Sequence, residues 1–211
     1  MNRESAAPRS LTRRELVRGV DILCRRDPDL ARVVAAHGPP PLWARRPGFP
    51  TLLRIILEQQ VSLASARAAY NRLVERIGTP TPEALLMLTD AELRSDGFSG
   101  QKSRYGRELA TAVIEGRLDL RRLSRRPDER IHAELLQVTG IGNWTADIYL
   151  LMALRRPDFW PRGDLALVSA MQEVKRLRKF PSTGRMAELA ESWRPWRAVG
   201  ARILWHRYLS R

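Results

Sequence analysis

The amino-acid sequence predicts an all-α protein. Apolar residues recur every three or four positions through most of the chain, and no segment shows the sustained alternation that is typical of strands. Helix-starting residues such as Ser, Thr and Asp precede many of these segments, and Gly follows several of them. A chain of 211 residues can bury a real core as one domain or as two small lobes that share a cleft.

Two helices are predicted near the N-terminus. Residues 1–10 are expected to form a disordered lead. Thr12, with Glu15 three positions later, predicts a capping box at the start of the first helix. A second helix is predicted to begin at Pro28 and to end at Gly38, where three consecutive prolines follow. This proline-rich joint is the expected boundary between lobes.

The middle of the chain is predicted to be helical throughout. Residues 50–77 should form two helices that meet near Val61, because polar residues interrupt the apolar periodicity there. Shorter helices are predicted after Thr81 and after Thr89, and a longer one over 101–115.

The C-terminal half begins with a pair of helices joined by a tight turn. Residues 127–138 and 143–154 are the predicted helices, and Thr139-Gly140-Ile141-Gly142 is the turn. After a proline-containing loop, a helix is predicted over 164–177, and one or two more over 187–209.

The composition favours a polyanionic partner. The chain has 37 Lys and Arg against 23 Asp and Glu, a net charge of +14. The alternative is that many arginines are only solvated beside acidic neighbours. A single cysteine, Cys24, excludes disulfides and cysteine-ligated zinc or iron-sulfur sites and is expected to pack in the core, and the three scattered histidines predict no transition metal. No apolar run is long enough to span a membrane and no signal peptide is seen, so a soluble, cytoplasmic protein is expected.

The turn between the two helices has a composition suited to phosphate. Two glycines around one apolar residue permit a sharp backbone turn, while Ile141 can insert into the core. The amides of Gly140, Gly142 and Trp144 would then lie at a helix N-terminus, where they can bind a phosphate oxygen. An ordinary helix-to-helix turn is the alternative interpretation.

The flanking residues give this turn a specific resemblance. LLQVTGIGNWTADIYLLMAL followed by RRPDFWPRGDLAL resembles the helix-hairpin-helix and aspartate loop of the helix-hairpin-helix-GPD superfamily of DNA glycosylases. The 22-residue separation between Gly142 and Asp164 matches that family. The resemblance extends from about Phe49 to Leu209 and is greatest to the bacterial 3-methyladenine DNA glycosylase II (AlkA-type) group, although the N-terminal β-domain of its larger members has no counterpart here.

The resemblance implies a monofunctional DNA N-glycosylase of base excision repair. Trp144 stands where the glycosylase/lyases carry a Schiff-base lysine, so hydrolysis of the N-glycosidic bond should leave an intact abasic site. The expected substrate is an alkylated purine of the 3-methyladenine or 7-methylguanine type. Asp164 would be the catalytic carboxylate; taken alone, an Asp at this position is usually a helix N-cap, and the two roles are compatible. The alternatives are a glycosylase for oxidised, deaminated or mismatched bases, and a non-catalytic helix-hairpin-helix DNA-binding protein.

Further site residues follow from the resemblance. Gln60, with Gln59 beside it, matches the residue that fills the gap left by the flipped base; a buried glutamine between two helices is the alternative. Trp144 and Trp205 match aromatic residues of the base pocket, and Ile148 stands where relatives have a tyrosine. Core packing is the alternative for any single tryptophan, and it is the role expected of Trp43 and Trp193. Tyr149, next to Ile148, is expected to point elsewhere.

The remaining expectations concern phosphate and cations. The candidate phosphate-binding residues are Gly140, Gly142, Trp144, Thr145 and Lys102, although Lys102 and the nearby Arg104 could equally be solvated surface charges. The main-chain carbonyls of Leu136, Val138 and Gly140 would hold a Na⁺ or K⁺ by resemblance alone. No cofactor is expected to be required for catalysis, and no iron-sulfur cluster is expected.

The expected architecture is two helical lobes flanking a DNA-binding cleft. Residues 11–49 plus 155–211 would form a discontinuous terminal lobe, and 50–154 a central lobe ending in the helix-hairpin-helix at 135–154. The hairpin and Asp164 would face the cleft from opposite sides. The expected partner is double-stranded DNA with a damaged base, bound by a monomer in the bacterial nucleoid, without a membrane.

Overall fold

The computed structural model describes residues 10–210, and all regular secondary structure within that range is helical. The predicted all-α class is therefore confirmed. Residues 1–9 of the expected lead lie outside the described residues. Among the described helices, none is both long and apolar enough to cross a membrane.

The chain divides into two compact units. The terminal unit combines Met1–Ala44 with Leu154–Arg211, and the central unit is Arg45–Ala153. The expected lobes have the same discontinuous arrangement, with boundaries five residues and one residue later along the chain.

The terminal unit contains five described helices: α1 Arg13–Arg26, α2 Pro28–His37, α11 Leu165–Val174, α12 Thr183–Glu191 and α13 Arg197–Leu209. The last of these, α13, packs against the other four. Local caps define several of these ends. Thr12 Oγ1 accepts the Glu15 amide at the start of α1, and Asp27 caps α2, which ends at Gly38 as predicted.

A buried carboxylate organises the core of the terminal unit. Asp27 accepts hydrogen bonds from Lys175 Nζ at 2.6 Å and from Trp193 Nε1 at 2.7 Å, in addition to capping α2. Trp193 is completely buried, which confirms the expected packing role. Trp43 differs from that expectation: it is only partly buried and has a positive φ of 47°, because it lies in the irregular segment after α2.

The central unit contains eight described α-helices: α3 Phe49–Glu58, α4 Leu63–Ile77, α5 Pro82–Met87, α6 Asp90–Ser95, α7 Gly100–Ile114, α8 Leu120–Leu123, α9 Asp128–Leu136 and α10 Asn143–Ile148. Helix α3 packs against α4, α7 and α10. The predicted break near Val61 separates α3 from α4. The one-turn helix α8 was not predicted, since four residues are too few to show a period.

The last predicted helix of the central unit is wrong in its second half. A continuous α-helix was expected to Leu154, but α10 ends at Ile148 and a π-helical turn, Tyr149–Ala153, follows. Contacts from residues distant in sequence accompany the wider turn: Arg45 N donates to Met152 O at 2.9 Å, and Gly48 N donates to the Tyr149 hydroxyl at 3.0 Å. The helix predicted to end near Leu177 is also shorter, with α11 ending at Val174.

Candidate active site

The turn between α9 and α10 requires a glycine at its centre. Gly140 has a φ of +94°, and a Cβ atom placed there would lie 2.3 Å from Cγ of Tyr105. Ile141 is 4% exposed, so its predicted insertion into the core is confirmed. The aromatic ring of α7 and the glycine therefore fix the close approach between the hairpin and α7.

The hairpin leads directly into the N-terminus of α10. Gly142 is the N-cap residue, it is exposed, and no side chain caps the first turn. The amides at such a helix start carry partial positive charge, which suits an anionic oxygen. This arrangement is chemically compatible with the phosphate contact expected of Gly140, Gly142, Trp144 and Thr145.

The two neighbouring glutamines of the α3–α4 turn have different surroundings. Gln59 Nε2 donates to Gly140 O and to Thr145 Oγ1, both at 2.8 Å. Gln60 is exposed and has a φ of +55° in the turn itself. Both were grouped as candidates for filling the gap in the duplex. The hydrogen bonds of Gln59 direct its side chain to the hairpin, whereas Gln60 has the exposure that such a role needs.

Lys102, a candidate phosphate contact, lies close to this turn. Its Nζ donates to Leu57 O in the last turn of α3, and burial lowers the pKa of the ammonium group. The neighbouring Glu58 is 8% exposed, and Arg45 binds both of its carboxylate oxygens at 2.8 and 2.9 Å. The end of α3 is thus held by charged side chains.

Asp164 lies in the terminal unit and caps α11. Its Oδ1 accepts from Leu167 N at 2.9 Å and from Trp205 Nε1 at 3.1 Å. The N-cap role considered from the sequence is therefore present. The bond from Trp205, which is 7% exposed, is an additional constraint that capping does not require.

The other candidate pocket residues lie on α10 in the central unit. Trp144 is partly exposed and Ile148 is 4% exposed. Tyr149 is fully buried with its hydroxyl bonded to Gly48 N, consistent with the expectation that it points elsewhere. Of these residues, Trp144 combines an aromatic face with solvent access.

The hairpin carbonyls have a donor chemistry that suits a monovalent cation. Val138 O accepts from Ile141 N at 3.0 Å, and Gly140 O accepts from Gln59 Nε2. A carbonyl oxygen has two lone pairs, so each keeps the capacity for a second interaction. Within residues 10–210, no group of three or more His, Cys, Asp or Glu side chains could hold a metal ion.

Tyr105, which sets the position of Gly140, was not among the site residues expected from the sequence. Gln59 was a candidate, but its hydrogen bonds to the hairpin were not predicted. Neither contact has a local sequence signal, because each joins residues that are far apart in the chain.

Comparisons of the sequence with known proteins give DNA glycosylases as relatives. A DNA-3-methyladenine glycosylase of Schizosaccharomyces pombe is 29% identical over 201 residues, covering 93% of this chain and 87% of that protein. A DNA-3-methyladenine glycosylase of Bacillus subtilis is 25% identical over 169 residues, covering 74% of this chain and 56% of that protein. This chain therefore spans less than two thirds of the length of the Bacillus relative.

Solved structures show the same fold. The S. pombe 3-methyladenine DNA glycosylase in complex with abasic DNA has a TM-score of 0.81 at 28% identity, over 89% of this chain and 94% of that one. A Bacillus halodurans DNA-3-methyladenine glycosidase has a TM-score of 0.75 at 27% identity, over 89% and 87%. The family model for HhH-GPD superfamily base excision DNA repair proteins matches residues 53–195, and the chain belongs to this family.

Proposed function

We propose that the protein is a monofunctional DNA N-glycosylase that hydrolyses the bond between an alkylated purine and its deoxyribose. The observation that carries the proposal is the doubly hydrogen-bonded carboxylate of Asp164. Glycosidic hydrolysis passes through a positively charged, oxocarbenium-like state. A fixed carboxylate can stabilise this charge or orient the water that attacks the sugar. The relatives and structures named as 3-methyladenine glycosylases support this substrate class.

The hairpin and the α3–α4 turn supply the DNA contacts in this proposal. Hairpin amides would bind a backbone phosphate, and exposed Gln60 would fill the space left by the flipped nucleotide. The proposed base-contacting residues are Trp144 and Ile148 in the central unit and Trp205 in the terminal unit. A Na⁺ or K⁺ on the hairpin carbonyls would add positive charge behind the bound phosphate. Location in the nucleoid follows from the substrate, which is duplex DNA.

The product distinguishes hydrolysis from lyase chemistry. Trp144 has no amine, so it cannot form a Schiff base with the sugar. The proposal therefore expects free base and an intact abasic strand that breaks only after alkaline treatment. Strand nicking by the purified protein without that treatment would contradict the monofunctional assignment.

The decisive experiment measures single-turnover base release and strand nicking separately. Duplexes carry 3-methyladenine, 7-methylguanine, hypoxanthine, 8-oxoguanine or a mismatch. The Asp164→Asn variant keeps an oxygen that can cap α11 but loses the charge, so we expect base release to fall by at least about 100-fold while duplex binding persists.

A matched control separates catalysis from capping. Asp119 also caps a helix, accepting from the Arg121 and Arg122 amides at 3.0 and 3.1 Å. Asp119→Asn should leave base release unchanged. If Asp164→Asn releases base at the wild-type rate, the catalytic assignment is wrong. If the wild-type protein binds duplex but releases none of the bases, the non-catalytic alternative is correct.

A further inference from the structure

The α3–α4 turn presents one glutamine outward and holds the other inward. Gln59 is the C-cap of α3, and Gln60 follows it with a φ of +55°. Gln60 through Ser65 are all exposed, whereas Gln59 is half-buried. The turn therefore has an outward-facing tip and an inward-facing anchor in adjacent positions.

The anchor bridges two different parts of the hairpin. Gln59 Nε2 carries two N–H groups, and it donates to Gly140 O in the turn and to Thr145 Oγ1 on α10, both at 2.8 Å. Thr145 is 1% exposed, so its hydroxyl is shielded from water. A shielded hydrogen bond is costly to lose, because the abandoned partner has no water to replace it. One amide thus fixes the turn against both the hairpin and the first turn of α10.

Helix α7 braces the same arrangement from another side. Lys102 Nζ donates to Leu57 O at the end of α3, while Tyr105 packs against Gly140. Gln101 Nε2 donates to the Tyr105 hydroxyl at 2.7 Å, which orients the ring. With α7 as a common support, Gln59 links the α3–α4 turn to the hairpin directly by two hydrogen bonds.

We infer that Gln59 is a positioning residue that couples filling of the duplex gap to the grip on the DNA backbone. This inference rests on the proposed function. The exposed Gln60 can hold the gap only if its turn keeps a fixed distance from the hairpin that binds the phosphate. Gln59 sets that distance through its bonds to Gly140 O and Thr145 Oγ1. Base flipping, rather than overall DNA affinity, is the step that depends on Gln59.

The test separates flipping from binding. Gln59→Leu preserves the size of the side chain but removes both donors, and Thr145→Val removes one acceptor with the same shape. Flipping is followed by the fluorescence of 2-aminopurine placed beside the lesion, excision by single-turnover base release, and affinity by anisotropy with undamaged duplex. We expect Gln59→Leu to lower the excision rate and the flipped fraction by about tenfold or more, with undamaged-duplex affinity unchanged.

A double-mutant cycle tests the link itself. Thr145→Val should cause part of the loss, and the combination of Gln59→Leu with Thr145→Val should be no worse than Gln59→Leu alone, since both remove the same bond. Asn71 on α4 is an exposed amide in the same unit, and Asn71→Leu is the matched control that should behave as wild type.

Several outcomes overturn the inference. Wild-type excision and flipping by a folded Gln59→Leu variant would do so, as would additive losses in the cycle. A loss of thermal stability with a normal excision rate well below the melting temperature would assign Gln59 a purely structural role. If the wild-type protein itself excises no base, the proposed function fails instead, and this result is distinguished by the wild-type arm.

Discussion

Two hydrogen bonds meet on one oxygen of Asp164, and they have different origins. The bond from Leu167 N is the one that any N-cap aspartate makes, whereas the bond from Trp205 Nε1 comes from a helix more than thirty residues later. Removing the indole donor with Trp205→Phe leaves the cap intact but removes one of the two hydrogen bonds that position Oδ1. We expect single-turnover base release to fall by at least about tenfold, because small misplacements of a catalytic group are costly.

Trp193→Phe is the matched control for that variant. Trp193 Nε1 also donates to a carboxylate, that of Asp27, but deep in the core of the terminal unit. Its loss should cost about 1.5 to 3 kcal/mol of unfolding free energy, the usual range for a hydrogen bond to a charged group, and leave the rate of the folded enzyme unchanged. Equal rate losses in the two variants would show that Trp205 has no special relation to Asp164.

The buried phenol of Tyr149 should make the free energy of unfolding decrease at alkaline pH. Burial raises its pKa from 10.0 to about 12, opposed in part by the hydrogen bond from Gly48 N. Because the folded pKa lies above the unfolded one, the stabilising contribution is complete below pH 10.0 and declines as pH rises toward about 12. The difference in unfolding free energy between wild type and Tyr149→Phe should therefore be constant below that window and then fall by about 1.4 kcal/mol per pH unit within it.

Urea unfolding at a series of pH values measures this difference. Comparing the two proteins at each pH cancels the titration of Tyr70, whose pKa burial also raises, and of the lysines. A difference that stays constant from pH 8 to pH 11 would contradict a buried, protonated phenol in the folded state.

At the scale of single residues, the sequence predicted the types of site residues and their spacing along the chain better than it predicted which way their side chains point. Asp164 could be chosen as a candidate because its separation from the hairpin is read directly along the chain, and its catalytic role stays a prediction. Gln59 and Gln60 could not be separated in the same way. Their opposite environments arise from the positive φ of Gln60. No neighbouring residue in the sequence predicts this backbone conformation. The proposed role of either glutamine stays a prediction.

At the scale of elements, the hairpin contains two glycines, and their positions differ in how strictly they require glycine. Gly140 has a φ of +94° and contacts the Tyr105 ring, whereas Gly142 has a φ of −94° and open space around it. Gly140→Ala should cost at least about 2 kcal/mol of unfolding free energy, because the alanine is strained in that region and must displace the ring. The displaced hairpin should also bind duplex DNA more weakly.

Gly142→Ala supplies the comparison within the same turn. An alanine is allowed at its backbone conformation and meets no atom within 4 Å, so the unfolding free energy should change by less than about 1 kcal/mol. Urea unfolding and anisotropy with a short duplex measure both variants. Similar stabilities for Gly140→Ala and Gly142→Ala would contradict the close packing of Tyr105.

Helix boundaries were predictable where they depend on local caps. Thr89 and Glu92 form a complete capping box at α6, and Gly38 ends α2, so neighbouring residues suffice to place these ends. The π-helical turn Tyr149–Ala153 was missed because its stabilising partners, Arg45 and Gly48, are about a hundred residues away in sequence. Local periodicity carries no information about such partners.

At the scale of the whole molecule, the numbers of acidic and basic residues limit how much of the positive charge can be neutralised by ion pairs within the protein. Many arginines do form ion pairs, as Arg76 does with Asp96 and Arg197 with Asp158. The chain nevertheless has 37 Lys and Arg and only 23 Asp and Glu, so one-to-one pairing must leave an excess of 14 cations. Arginines beside acidic neighbours therefore account for part of the basic composition. The excess positive charge remains available to bind a polyanion.

This excess predicts a steep dependence of DNA affinity on salt. Each phosphate that a cationic side chain neutralises releases a condensed counterion, which adds about −0.9 to the slope of log affinity against log salt concentration. With several such contacts we expect a slope of about −4 or steeper, which is a loss of at least about 100-fold between 50 and 200 mM NaCl. Anisotropy with an undamaged duplex measures the slope. Asp164→Asn should have the same slope as wild type, since the role proposed for that carboxylate is at the sugar and not at a phosphate. A slope near zero would mean that the excess charge does not face the DNA, and the hairpin amides alone would then have to account for binding.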